Sequence, residues 1–152
     1  MSKRLLIAAP LLCASLSASA STLWVGNVFV TAAAPVCADA AAVGDYASLV
    51  YRPAGAALGN SADSYLSYVG SRAAFAMTVP NGLFRAGVNY GGEYVSSKLK
   101  FGSNAGGITF WTQAPASLTS AVGTVELKAT LANFYGVVGC VVSLQASLVR
   151  AP

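Results

Sequence analysis

The chain contains no histidine. That absence excludes Ser-His-Asp and Cys-His nucleophile pairs and the common zinc sites, each of which needs an imidazole as base or ligand. Charge is nearly as scarce. Asp, Glu, Lys and Arg make up 9% of the residues, against about 25% in an average globular domain. The surface must then be built largely from Ser, Thr, Gly, Ala, Asn and Tyr, and a surface so poor in charge resists association weakly. The few charges are scattered along the chain, which leaves no basic footprint for nucleic acid. No glycine-rich phosphate loop of either usual pattern occurs. Beyond the N-terminus no apolar run suits a membrane-crossing helix, because Asn27 and Thr31 interrupt Leu23 to Val36. The sequence thus argues against an integral helical membrane protein, and it suggests neither a cofactor nor a metal site.

What is present begins with an export signal. Lys3 and Arg4 form a positive start, Leu5 to Leu12 an apolar stretch, and Ala18-Ser19-Ala20 a small-x-small cleavage motif before Ser21. This order predicts a cleavable signal peptide over residues 1–20 and a single β-rich domain over 21–152. The apolar stretch falls short of the roughly 20 residues that span a bilayer. Cys13 follows Leu11-Leu12 rather than the small residue expected before a lipid-modified cysteine, so it reads as a small hydrophobe inside the signal. Cleavage removes Lys3 and Arg4 and lowers the net charge from +4 to +2. The expected destination is the periplasm or the exterior.

After cleavage two cysteines remain, Cys37 and Cys140. In an oxidising compartment they are expected to form one intramolecular disulfide, which draws the early and late segments together. Around and between them the hydrophobic period is two, not 3.6. Val125, Leu127, Ala129 and Leu131 alternate with Thr124, Glu126, Lys128 and Thr130, and Val142, Leu144, Ala146 and Leu148 alternate with Ser143, Gln145 and Ser147. Phe75, Met77 and Val79 continue the pattern, followed by a Pro80-Asn81-Gly82 turn signal and a return strand from Leu83. Further strand candidates lie at 22–31, 46–52, 86–90, 94–101 and 107–113. Only Ala38 to Val43 offers a turn or two of helix. Many short strands between Gly and Pro signals predict an all-β fold, an antiparallel β-sandwich or small soluble β-barrel with at most one short helical turn.

For function, the five acids Asp39, Asp45, Asp63, Glu93 and Glu126 are the only material for an enzyme. A two-carboxylate hydrolase needs an acid and a base or nucleophile roughly 5–9.5 Å apart. Asp39 and Asp45 suit capping and turns, Asp63 a loop, and Glu126 the solvated face of a strand. A small outer-membrane barrel is the other alternative, but its segments of about 10 residues and aromatic girdles are not evident. The tyrosines offer more, since Tyr presents large amphipathic contact area at low entropic cost. Tyr65, Tyr68, Tyr90 and Tyr94, beside Ser- and Gly-rich turns, form the candidate binding surface. The expectation is therefore a non-enzymatic binding or assembly module whose partner is an envelope protein, a glycan or another copy of itself.

Overall fold

A computed structural model of the chain describes residues 21–60, 62–79 and 107–152. The segment 1–20 expected to be a signal peptide, the turn expected at Pro80-Asn81-Gly82 with its return strand from Leu83, the strand candidates at 86–90 and 94–101, Tyr90, Tyr94 and Glu93 lie outside the described residues. Among the described residues, every strand is antiparallel and belongs to one seven-stranded sheet. The strands are β1 (Trp24–Ala33), β2 (Tyr46–Arg52), β3 (Ser64–Gly70), β4 (Ala74–Val79), β5 (Gly107–Ala114), β6 (Thr124–Ala132) and β7 (Val141–Arg150). Their spatial order is β4-β3-β2-β1-β7-β6-β5, so the first strand lies at the centre and pairs with the last. Among the described residues no helix is long and apolar enough to cross a membrane.

Alternation decides which way each strand faces. Because successive side chains point to opposite faces, Val125, Leu127, Ala129 and Leu131 of β6 are buried beside Val142, Leu144, Ala146 and Leu148 of β7. Their polar neighbours in sequence, Thr124, Glu126, Lys128 and Gln145, are exposed. Trp24, Val28 and Val30 of β1, Leu49 and Tyr51 of β2, and Phe75 and Met77 of β4 face the same interior. Gly26 occupies the inward position between Trp24 and Val28, where β7 passes very close. A Cβ there would run into the carbonyl oxygen of Ser147 and lie 3.0 Å from the Leu148 Cα.

The sheet is strongly curled. Three strands separate β2 from β5, which in a flat sheet would put them about 19 Å apart at roughly 4.8 Å per step. Instead the rings of Tyr51 and Trp111 lie 5.4 Å apart, and the Tyr51 hydroxyl donates to Gln113 Oε1 at 3.0 Å. The apolar face thereby wraps onto itself, and the described part of the core lies within this one curled sheet. Its packing leaves a cavity of only about 10 Å³ among Val28, Leu49, Leu66, Trp111 and Leu127, no more than the smallest space a single water needs.

Each end of the half-barrel is stoppered. At one, Trp24 Nε1 donates to the Val122 carbonyl of the β5–β6 loop, and Asn60 Nδ2 ties Thr22 to Pro53 through their carbonyls. At the other, Phe134 is fully buried between Tyr68 and Phe75, edge-on to both at 5.6 and 5.1 Å. Next to it Cys37 and Cys140 form the disulfide, with a Cα–Cα distance of 4.9 Å and both residues buried. The bridge sits just beyond the point where Ala33 of β1 pairs with Val142 of β7.

Two expectations about local structure are corrected. The helical turn expected over Ala38 to Val43 is absent, and the described residues contain three short 3-10 turns instead of at most one: Pro35–Cys37, Ala56–Leu58 and Phe134–Gly136. Cys37 must reach the bridge and Ala40 and Ala41 must fill the end of the core, which folds this stretch into turns in place of a continuing helix. In addition, Ser64–Gly70 is a strand, which is absent from the strand candidates read from the sequence.

Candidate functional site

Strand parity separates the sequence's candidate tyrosines. Tyr65 and Tyr68 are three residues apart in β3, so they fall on opposite faces. Tyr65 is half-buried on the outer face, with the Arg52 guanidinium 5.6 Å from its ring centre. Tyr68 points inward and is 3% exposed, stacked on Phe75 at 5.0 Å. Burial, with the Asp45 carboxylate adding to it, pushes its hydroxyl up to about 12. Tyr68 therefore belongs to the core and not to a binding surface. Its position beside Ser- and Gly-rich turns says little about exposure, because strand alternation sets the direction.

The exposed aromatic surface is elsewhere, on the outer face of β1, β2 and β3. Phe29 of β1 and Tyr46 of β2 are directly paired across the strands, 53% and 70% exposed, with ring centres 6.5 Å apart. The neighbouring row across the sheet is Asn27, Ser48 and Val69, paired in register. A third row holds Val25, Val50 and Ser67, and Val149 of β7 pairs with Val25. None of these residues carries a formal charge. The charged side chains around them are Arg52 at the end of β2, Glu126 and Lys128 on β6, and the paired Asp45 and Arg72 beside Tyr46.

At the edge of this face the β1–β2 and β3–β4 turns rise to form a groove of about 410 Å³, lined by Asn27, Asp45, Tyr46, Ser48, Val69 and Ser71 among others. Its one carboxylate is engaged. Asp45 Oδ2 lies 3.0 Å from Arg72 Nε and accepts a hydrogen bond from the Ala42 amide at 2.8 Å. Gly44, at φ 90°, makes the turn that delivers Asp45 and Tyr46 to this place. The left-handed conformation it needs is the one a side chain disfavours.

The described acids fall in three places on the fold. Asp39 and Asp45 lie in the β1–β2 connection and Asp63 just before β3. These positions are at opposite ends of the strands, and a seven-residue strand spans about 23 Å. Glu126 is on the outer surface of β6. Among the described residues no three His, Cys, Asp or Glu side chains come together as a metal site. The sequence held one signal for the exposed face: Val25, Asn27, Phe29 and Thr31 share a parity opposite to the buried Val28 and Val30. Phe29 and Tyr46 were missed because an aromatic within a strand suggests core.

In comparisons with family models, characterised proteins and solved structures, the chain matches none.

Proposed function

We propose that the protein is an exported, non-enzymatic binding module that engages a component of the bacterial envelope through the outer face of β1, β2 and β3. The observation that carries this reading is the Phe29–Tyr46 pair, exposed among neutral residues, with the adjacent Asp45 carboxylate compensated by Arg72. Large exposed aromatics surrounded by neutral polar groups make strong contact area and meet little electrostatic resistance to a partner. The export reading rests on the order of charged, apolar and small residues in 1–20, and the buried Cys37–Cys140 bridge agrees with an oxidising compartment.

We read the fold as a small soluble barrel in preference to a two-sheet sandwich. In support, all seven strands share one sheet, and side chains of β2 and β5 meet inside it. The faces run opposite to those of a membrane barrel, which is apolar outside. Here the inward positions are apolar and tightly packed, while Glu126, Lys128 and Gln145 point outward. Of the described acids, Asp45 is paired with Arg72 and Glu126 lies on the outer surface of β6, which favours a binding role over a two-carboxylate hydrolase.

Co-sedimentation with isolated bacterial envelopes tests the proposal, using oxidised protein purified after expression of the full chain. The wild type is expected in the pellet. Ser48→Lys places a charge at the centre of the face and is expected to leave the protein in the supernatant with its fold unchanged. A wild type that stays in the supernatant, and is monomeric by light scattering at high concentration, would overturn the reading.

A further inference from the structure

We propose that the groove beside Tyr46 binds a neutral saccharide, with one sugar ring laid against the Tyr46 side chain. This inference rests on the binding-face reading above and narrows it to a ligand class. The first argument is electrostatic. The one ionised group in the groove, Asp45, is paired with Arg72 at 3.0 Å, so the site carries no uncompensated charge. A strongly anionic or cationic ligand gains nothing there and loses its hydration. A purely apolar ligand fits no better, because Asn27 and Ser48 occupy the middle of the floor and would be left without hydrogen bonds.

The second argument is the layout. On one face of a sheet, rows repeat about 6.8 Å apart along a strand and neighbouring strands lie about 4.8 Å apart. Tyr46 supplies an exposed amphipathic ring at one end of the groove, and Val69, 57% exposed, an apolar patch at the other. Between and around them stand the Asn27 amide and the Ser48 and Ser71 hydroxyls. Apolar and hydrogen-bonding groups thus alternate over a pad about 7 by 10 Å, as they do on a pyranose, which has an apolar C–H face and a rim of hydroxyls. The amide and hydroxyls both donate and accept, which suits ligand hydroxyls of either orientation. A volume of about 410 Å³ lies within the roughly 300–1,000 Å³ of small-ligand sites.

The test is saturation-transfer NMR on the oxidised protein with maltotetraose, cellotetraose and tetra-N-acetylchitotetraose as neutral probes, and tetragalacturonate as an anionic one. At least one neutral probe is expected to show transfer. Tyr46→Ala is expected to weaken it by about tenfold or more, as loss of a central tyrosine contact does, while Tyr46→Phe retains it. Ser48→Ala is expected to cost a smaller factor. Circular dichroism and an unchanged melting temperature show that the variants are folded. Transfer to no neutral probe, transfer only to tetragalacturonate, or transfer indifferent to Tyr46→Ala each overturns the saccharide proposal. If the saccharides fail but the protein pellets with envelopes or forms a dimer that Tyr46→Ala disrupts, the binding face stands and its ligand is a protein. If envelope binding and dimerisation fail as well, both proposals fall.

Discussion

Opening the Cys37–Cys140 bridge should destabilise the protein through the unfolded chain, and the size of the effect follows from the topology. The two cysteines are 103 residues apart. In the chain-entropy model, a loop of about 100 residues corresponds to roughly 4.7 kcal/mol, with measured values more often about 2–4 kcal/mol. In the native state the bridge adds little that is not already fixed. It lies beyond the end of the β1–β7 ladder, whose paired strands bring both cysteines into place. For a domain of this size a kcal/mol moves the melting temperature by about 3–4 °C. The Cys37→Ala/Cys140→Ala protein should therefore melt roughly 6–19 °C below the oxidised wild type. Urea unfolding supplies the sharper test. A cross-linked unfolded chain is compact, so its release should raise the slope of stability against urea as well as lower the midpoint. Wild type kept reduced by dithiothreitol after refolding controls for loss of the buried sulfurs and should show the same change in slope. A fall in midpoint with an unchanged slope, or a melting temperature lowered by less than about 3 °C, would refute the argument and place the effect in the native state.

Two further predictions concern the core. Gly26→Ala should lower stability by about 1–3 kcal/mol in thermal or urea unfolding, the usual cost of overpacking, because the groups its Cβ would meet include the Ser147 carbonyl and Leu148 Cα, which cannot swing away. An unchanged midpoint would mean that β1 and β7 separate easily. Alkaline titration should unfold the protein through Tyr68 and Tyr51. Burial raises both hydroxyls, Tyr68 to about 12 and Tyr51 higher. Above the ordinary tyrosine value of about 10 the unfolded chain loses these protons while the folded one keeps them. Their stabilising contribution is therefore complete below about pH 10 and drains away as pH rises through the folded values, by up to about 1.4 kcal/mol per unit for each tyrosine. Urea midpoints measured between neutral pH and pH 12 should fall only above about 10, and Tyr68→Phe should soften that fall. A midpoint flat to pH 12 would contradict the burial of these hydroxyls.

Much of the sheet was legible in the sequence, and the failures have physical causes. β6 and β7 alternate cleanly because one face meets the core and the other water, so period two is written directly into residue type. β3 escaped notice although it alternates as well. Its first inward position is Ser64, a fully buried hydroxyl whose Oγ accepts the Ala54 amide at 3.1 Å and holds the preceding loop. A serine there reads as turn because its role is a tertiary hydrogen bond. The Asn133–Cys140 connection was similarly opaque. Tyr135 sits at φ 54°, which its residue type disfavours and its surroundings impose. The disulfide was legible by count, since only two cysteines lie beyond residue 20. The exposed face was not, because Phe29 and Tyr46 are aromatic and aromatic residues are expected inside. Only the register between β1 and β2 reveals that they stand together outside.

The pairing of β1 with β7 also governs timing. The central strand is the first to be synthesised, yet one of its two neighbours is the last stretch of the chain, ending at Arg150. Until those residues are available, β1 has only β2 beside it, and β5 and β6 lack the strand that joins them to the rest of the sheet. Contacts of such long sequence separation form slowly, because a large loop must be ordered before they reward it. A nascent chain of this topology cannot reach its final state while still being made. On the proposed export route, closure of β1 on β7 and oxidation of Cys37 with Cys140 both follow translocation.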